Sequence, residues 1–293
     1  MVVAPAATVA FLGPLGTFTY QAARNYFGVH AHYLTQPTIE DVFTAVEKGT
    51  SQYGVVPIEN SSAGTVGPTL QRLLTSARNF KELPNPIYIR DQAYLPISQC
   101  LLSRCSSLSD IRVVYSHAMG FKQCTQWLAR TLPQAEHINV SSTARAAELA
   151  SNQPHTAAIG SAVCAQVFPI QVLSRDIQDA NDNVTRFFIL SRTPSESTGN
   201  DQMYLSFTVN HSQPGSLGKA LTEFRQNQLN LSMIDSIPAN DRPWHYYFLV
   251  ESTGHHRDPQ AADLLCKLRS ICEEVHVFGS YPYRRCKTVE SSS

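Results

Sequence analysis

Short apolar runs that end in turn residues alternate, along most of this chain, with stretches whose apolar residues recur at helical spacing. Val9-Ala10-Phe11-Leu12-Gly13 reads as a buried strand, and residues 17–27 follow with helical periodicity. Thr38 followed by Asp41 is an N-cap signal with an acid at the third helical position. Ile39, Val42, Phe43 and Val46 then make one apolar face. Tyr53 to Val56 is a second short strand, and residues 65–76 are helical, with Val66, Leu70, Leu73 and Leu74 on one side. Strand and helix in alternation restrict the chain to an α/β fold with a mainly parallel sheet.

The alternation is broken once and then resumes. Residues 86–103 are long and extended, enough to cross from one lobe to another. A second series follows: a strand at Val113-Val114-Tyr115, a helix over 121–132, a strand at Ile138-Asn139-Val140, a helix over 143–151, a strand at Ala157-Ala158-Ile159 and a helix over 162–168. Two such series predict two lobes with a cleft between them, a favoured place for a ligand. Residues 194–201 are a linker by composition. Beyond it, strand patterns at 203–209, 231–237, 244–252 and 275–279 and helix patterns at 214–226 and 259–272 give the order βαββαβ, the split ferredoxin-like arrangement. The expected domains are therefore 8–193 and 202–285.

Hydrophobic residues make up 43% of the 293, enough for a substantial core, and the formal net charge is zero. Lys and Arg are scattered, which argues against a nucleic-acid partner. No apolar run has the length of a membrane span, and the first residues lack a basic leader. The seven cysteines, Cys100, Cys105, Cys124, Cys164, Cys266, Cys272 and Cys286, are odd in number and form no CxxC pair. They read as free thiols in a reducing cytoplasm. The ten histidines show no metal-ligand spacing, and His255-His256 reads as a solvated turn. No metal and no cofactor are expected.

Four segments carry chemistry. Residues 182–192 run from a polar tip into an apolar strand, with Thr185 and Arg186 at the junction. A hydroxyl and a guanidinium on a rigid edge suit a small anionic ligand. Gly13-Pro14-Leu15-Gly16-Thr17-Phe18-Thr19 lies between strand and helix, where backbone amides favour an anion; a plain turn is the alternative. It fits neither the phosphate loop nor the dinucleotide pattern. In the third segment, residues 55–66, Glu59, Asn60, Ser61 and Ser62 stand between a strand and a helix, where α/β sites lie and where serines also cap. The fourth runs from Tyr115 to Cys124. Its Ser116-His117 pair lacks an identifiable acid, so Ser116 and Gln123 read as ligand hydrogen-bond donors rather than parts of a triad.

Together these segments resemble the prephenate dehydratase family over nearly the whole chain. The resemblance rests on the Gly-Pro-x-Gly-Thr-Phe start, on Val-Pro-Ile-Glu-Asn-Ser with Gly64 and Val66 downstream, on the Ser-His…Gln-Cys segment, and on Asn-x-Thr-Arg-Phe. From residue 202 the chain resembles the regulatory ACT domain of that family, through Gly215-Ser216-Leu217, Asn230-Leu231 and Asp235-Ser236-Ile237. Ala118-Met119 stands where the family usually has Pro-Gln, Asp235 where it has Glu, and Ile237 where it has Arg.

The resemblance implies a two-lobed catalytic domain like that of periplasmic binding proteins, followed by the ACT unit. It implies a carbon–oxygen lyase that turns prephenate into phenylpyruvate in phenylalanine biosynthesis, with phenylalanine as effector. A homodimer or homotetramer is expected. Arogenate dehydratase and a non-catalytic amino-acid-sensing protein are the alternatives. Thr185 would be the central catalytic residue, an oriented donor to the departing hydroxyl, with Asn60 fixing substrate oxygens and Glu59 as a proton donor or a structural acid. Gly16, Thr17, Phe18, Ser61, Ser116, Gln123 and Phe187 would contact substrate. Arg186 would either bind a carboxylate or brace the cleft by an ion pair. Gly215, Ser216, Leu217, Asn230, Leu231, Asp235, Ser236 and Ile237 would bind phenylalanine.

Overall fold

A computed structural model describes residues 6–78, 86–239 and 243–284. The first lobe is built on β1 (Thr8–Leu12), α1 (Phe18–Phe27), β2 (His32–Gln36), α2 (Ile39–Glu47), β3 (Tyr53–Asn60), the two-residue β4 (Gly64–Thr65), α3 (Gly67–Arg78) and β5 (Tyr88–Pro96). The chain then crosses to the second lobe. That lobe holds β6 (Cys100–Ser103), β7 (Val113–Ser116), α4 (Ala118–Gln123), α5 (Thr125–Thr131), β8 (Glu136–Asn139), α6 (Thr143–Asn152), β9 (Thr156–Gly160) and β10 (Gln171–Ser174). A second crossing brings β11 (Val184–Ser191) back into the first sheet, whose order is β2-β1-β3-β11-β5. The second sheet has the order β10-β6-β9-β7-β8. Along each of these orders one strand runs against the rest, β11 in the first sheet and β6 in the second, because it is the strand by which a crossing enters that sheet.

The residues 86–103 read as one extended connection are thus two strands in different sheets. The helix expected over 121–132 is two short helices that meet at Cys124, and the one expected over 162–168 is a 3-10 turn, Ala162–Gln166. Strand β2, with the sequence HYLTQ, gave little apolar signal because it is a sheet edge. Thr38 does cap α2: its hydroxyl accepts from the Asp41 amide at 3.1 Å.

The C-terminal unit comprises β12 (Asp201–Thr208), α7 (Ser216–Gln226), β13 (Leu231–Pro238), β14 (Tyr246–Thr253), α8 (Pro259–Ile271) and β15 (Glu274–Pro282). Its sheet, β13-β14-β12-β15, is antiparallel throughout. Helices α7 and α8 cover one face through Phe224, Leu264 and Leu268 against Met203, Leu205 and Phe207. The other face is buried against the first lobe: Tyr204, Leu249, Phe278 and Tyr281 pack with Phe43, Leu70, Ile89, Phe188 and Leu190. This is why every residue of β12 is buried. Where β15 crosses β5 the backbones touch. A Cβ added to Gly279 would lie 2.1 Å from the Ile89 carbonyl oxygen, so only glycine permits the contact.

His255 is fully buried, not solvated as the polar turn suggested, with Nε2 3.3 Å from the Ser195 carbonyl. The six cysteines among the described residues are free; Cys286 and the expected boundary at 285 lie outside them. No helix of the described residues is long and apolar enough to cross a membrane.

Candidate active site

The cleft between the lobes has a volume of about 380 Å³. It opens at the C-terminal ends of β1 and β3 and beside β7 and β8, the usual location of ligands in open α/β sheets. Thr185 lies in its wall, at the start of β11. Side chains alternate along a strand. Phe187 therefore also lines the cleft, while Phe188 packs on the C-terminal unit.

A hydrogen-bond chain fixes the Thr185 hydroxyl. Asn60, at the end of β3, stands directly across from it in register. The Asn60 amide nitrogen donates to Thr185 Oγ1 at 2.9 Å and to Asn183 Oδ1 at 2.7 Å. Its carbonyl oxygen accepts from the amides of Ser62 and Ala63 at 3.0 and 2.9 Å. Asn60 lines the cleft, with its side-chain nitrogen and oxygen both engaged by partners within the protein. Because Oγ1 already accepts a hydrogen bond, the hydroxyl proton is free to point to a ligand. Asn183, 6% exposed and part of the cleft wall, belongs to this chain and was read only as part of a polar tip.

Two helices begin at the cleft, one from each lobe. Thr17 caps α1, its Oγ1 accepting from the Tyr20 amide at 3.3 Å. Ser142 caps α6, accepting from the Arg145 amide at 3.0 Å. Thr17, Phe18 and Thr19 line one side, and Ser141, Ser142 and Thr143 the other. First-turn amides have no partner within a helix and carry the positive end of its dipole, so each start favours an anion. The Ser-Ser-Thr preceding an alanine-rich helix was the available signal for the second one. Gly16, with φ +92°, lies behind the cleft wall, and its carbonyl accepts from the Cys164 thiol of the other lobe at 3.1 Å.

Gln123 lines the cleft. Its Oε1 accepts from Gln99 Nε2 at 2.9 Å, which leaves the Gln123 amide group available as a donor. Gln99 sits where the chain first crosses between the lobes and was not anticipated. It is bound to the second crossing as well: its amide donates to Gln178 Oε1 and its carbonyl accepts from the Ile177 amide.

Several expected contacts fall elsewhere. Among the described residues that line the cleft, Gly16, Glu59, Ser61, Ser116 and Arg186 do not figure. Ser116 is fully buried and donates to the Ile159 carbonyl at 3.1 Å. It lies directly under α4, where a Cβ on Gly120 would be 2.3 Å from its oxygen. His117 caps α4 with Nδ1, so Ser116 and His117 form no nucleophilic pair. Ser61 clasps the second crossing, donating to the Asp182 carbonyl and accepting from the Val184 amide. Glu59 is paired in register with Arg186. Arg186 points away from the cleft and is buried against Glu251 of β14 in a two-pronged ion pair, one arm at 2.9 Å. Its ion pair joins β11 to the C-terminal unit, on the face opposite the cleft.

The residues expected to bind phenylalanine divide between the two faces of the C-terminal sheet. Leu217 and Leu231 pack on the helix side, Met233 and Ile237 on the side facing the first lobe. Asp235 lies between Met233 and Ile237 in the alternation and shares their side. A bulge between Leu231 and Met233 causes the switch. Gly215, in the left-handed region at φ +82°, opens α7 with Ser216, while Asn230 donates its amide to Thr253 Oγ1. Strand β13 is a sheet edge and exposes Ile234 and Ser236. Within one chain the eight residues do not form a single pocket.

The prephenate dehydratase family model matches residues 9–195, and the ACT domain model matches 203–270. The bifunctional chorismate mutase/prephenate dehydratase of Aquifex aeolicus (strain VF5) is 39% identical over 274 residues, covering 94% of this chain and 73% of the relative. The prephenate dehydratase of Amycolatopsis methanolica is 32% identical over 276 residues, covering 93% of this chain and 88% of that one. Among solved structures, prephenate dehydratase from Arthrobacter aurescens in complex with L-Phe superposes with a TM-score of 0.81 at 30% identity, covering 98% of this chain and 94% of that one.

Proposed function

The chain belongs to the prephenate dehydratase family, and from that premise we propose that it is a carbon–oxygen lyase converting prephenate to phenylpyruvate. Prephenate carries two carboxylates and a ring hydroxyl. The ring carboxylate leaves as carbon dioxide, its bonding electrons make the ring aromatic, and the hydroxyl leaves with one added proton as water. The side-chain carboxylate persists and suits a helix start, that of α1 or α6. The ring carboxylate must surrender its charge, which favours the poorly solvated wall of Leu12, Ile97 and Phe187.

The observation that carries this reading is the polarity of the Asn60–Thr185 hydrogen bond. Because Asn60 donates to it and cannot take its proton, Thr185 acts as an oriented donor to the departing hydroxyl, where negative charge develops in the transition state. Gln123, steadied by Gln99, supplies a second donor. The test is ultraviolet detection of phenylpyruvate from prephenate by the purified chain, with arogenate in parallel. Turnover of arogenate alone would change the substrate; turnover of neither would remove the assignment.

The C-terminal unit is proposed to bind phenylalanine, the amino acid made from the product. Membership of the ACT family and the L-Phe complex of the Arthrobacter relative support it. The split of the candidate residues between two sheet faces favours a site completed by a second copy at the β13 edge, in a homodimer or homotetramer. The biosynthetic role suits the cytoplasm. Inhibition of the full chain by L-phenylalanine tests the effector, and light scattering with and without it tests the assembly.

A further inference from the structure

Arg186 is the neighbour of Thr185 in the catalytic strand, yet its partner belongs to another domain. Its two terminal nitrogens engage both oxygens of Glu251. The Tyr281 hydroxyl donates to Glu251 Oε1 at 2.8 Å. All three side chains are buried, with Arg186 at 8% and Glu251 at 3% exposure. The guanidinium also lies over the rings of Tyr94 and Phe188, at 5.7 and 5.2 Å, while Arg186 Nε has no partner among the described residues. Burial, reinforced by Glu251, holds the Tyr281 phenol well above its ordinary range, so it stays a neutral donor.

Both ends of this ion pair sit at irregularities in their sheets. The pairing of β11 with β3 slips between Arg186 and Phe187, skipping Ile58, one step from the Thr185–Asn60 pair. The pairing of β13 with β14 slips opposite Glu251, skipping Ser232. Ser232 in turn donates to the Glu251 carbonyl. The extra residue at each slip lies on the partner strand, so β11 and β14 lose ladder bonds on that side and keep them on the other, and the side-chain anchor adds to what fixes the backbone there.

We infer that Glu251, a residue of the C-terminal unit, is a positioning residue for Thr185, acting through Arg186 on the start of β11, opposite the bulge in β3. The C-terminal sheet thus completes the catalytic strand. This rests on the reading of Thr185 as the donor to the leaving hydroxyl, and it links an inner strand of the C-terminal sheet, β14, to the cleft wall.

A charge left alone in this interface endangers folding. The test therefore does not rest on Glu251→Gln alone, since that variant leaves the Arg186 charge unpaired, but adds the apolar pair Arg186→Met/Glu251→Met in the full chain, which leaves no buried charge. The first readout is the Thr185 methyl resonance in threonine-labelled protein, identified by its loss in Thr185→Val. It should shift or broaden in both variants. The second is turnover: misplacing a reacting group by about 1 Å costs up to roughly 100-fold, so kcat should fall about 10- to 100-fold with KM nearly unchanged. The third is a cycle with Thr185→Val, whose cost should shrink at least about tenfold in the apolar-pair background. An unmoved methyl signal in a folded variant, or an equal cost of Thr185→Val in both backgrounds, overturns the inference. A moved signal in a chain that never turns over prephenate upholds the positioning and removes the catalytic reading instead.

Discussion

Thr185→Val removes one hydroxyl and nearly conserves volume. In the folded state the change deprives the Asn60 amide of one acceptor at 2.9 Å. A lost neutral hydrogen bond costs about 0.5–1.5 kcal/mol, little against the roughly 5–15 kcal/mol that holds a typical domain. Asn60 keeps its bonds to Asn183, Ser62 and Ala63, so the loop and strand stay in place. In the transition state the loss is larger. A preorganised donor facing developing negative charge is worth about 2.7–4 kcal/mol, or roughly 100- to 1000-fold in kcat. Single-turnover formation of phenylpyruvate should show that loss, with the melting temperature lowered by only about a few degrees. Thr185→Ser, which keeps the hydroxyl, should stay within about tenfold of wild type.

Asn60→Asp is the sharper perturbation, because without changing shape it removes the donor to both Thr185 and Asn183, whose own side-chain amide can turn to donate in its place. A carboxylate cannot donate to Thr185 Oγ1; the threonine proton turns toward it and away from the cleft. The Ser62 and Ala63 amides still find an acceptor. The expected kcat loss matches that of Thr185→Val, and the two changes together should cost little more than either. Full activity in Asn60→Asp, or a combined loss equal to the product of the single losses, would refute the proton-orienting role.

What could be read from the sequence was local. Thr185, Phe187, Asn60, Thr17, Phe18 and Gln123 all stand at junctions between regular elements, where polar residues beside apolar runs are conspicuous. The residues that were missed are tertiary. Ser141, Ser142 and Thr143 face α1 only because the lobes fold toward each other, and Gln99 matters only because it touches both crossings. The misplacement of Ser116 has the same origin: the sequence shows a serine before a helix, but not that Gly120 lets that helix settle on its hydroxyl. Arg186 was ambiguous for a stricter reason. Alternation in β11 puts it on the face opposite Thr185, and what covers that face is encoded about 65 residues away, at Glu251. Periodicity located β12 and β14 but could not tell that their sheet is buried on both sides.

Three other outcomes follow from the packing. Gly120→Ala should lift α4 off Ser116 and lower both melting temperature and activity, and Ser116→Ala in the same chain should recover most of the stability by removing the oxygen 2.3 Å from the new methyl group; circular-dichroism melts decide it. Gly279→Ala should separate β15 from β5 and make the C-terminal unit exchange its amide hydrogens faster, whereas unchanged protection would mean the backbone contact at Ile89 is not needed. The last concerns acid. Burial, then the neighbouring His255 and Arg257, lowers His256 to about 4, and burial alone lowers His276 to about 4, against an ordinary value near 6.5. Above pH 6.5 these rings are neutral in folded and unfolded chains alike, and the folded state is fully favoured. As pH falls toward 4 the unfolded chain takes up protons first, so stability is progressively lost across that window. Both histidines lie in the C-terminal unit, which should therefore loosen first. Between pH 6.5 and 5 ordinary carboxylates remain ionised, so a fall in melting temperature there reports the histidines. The double variant His256→Gln/His276→Phe should flatten that fall; a wild-type melting temperature constant from pH 6.5 to 5 would show that the two rings stay accessible to protons in the fold.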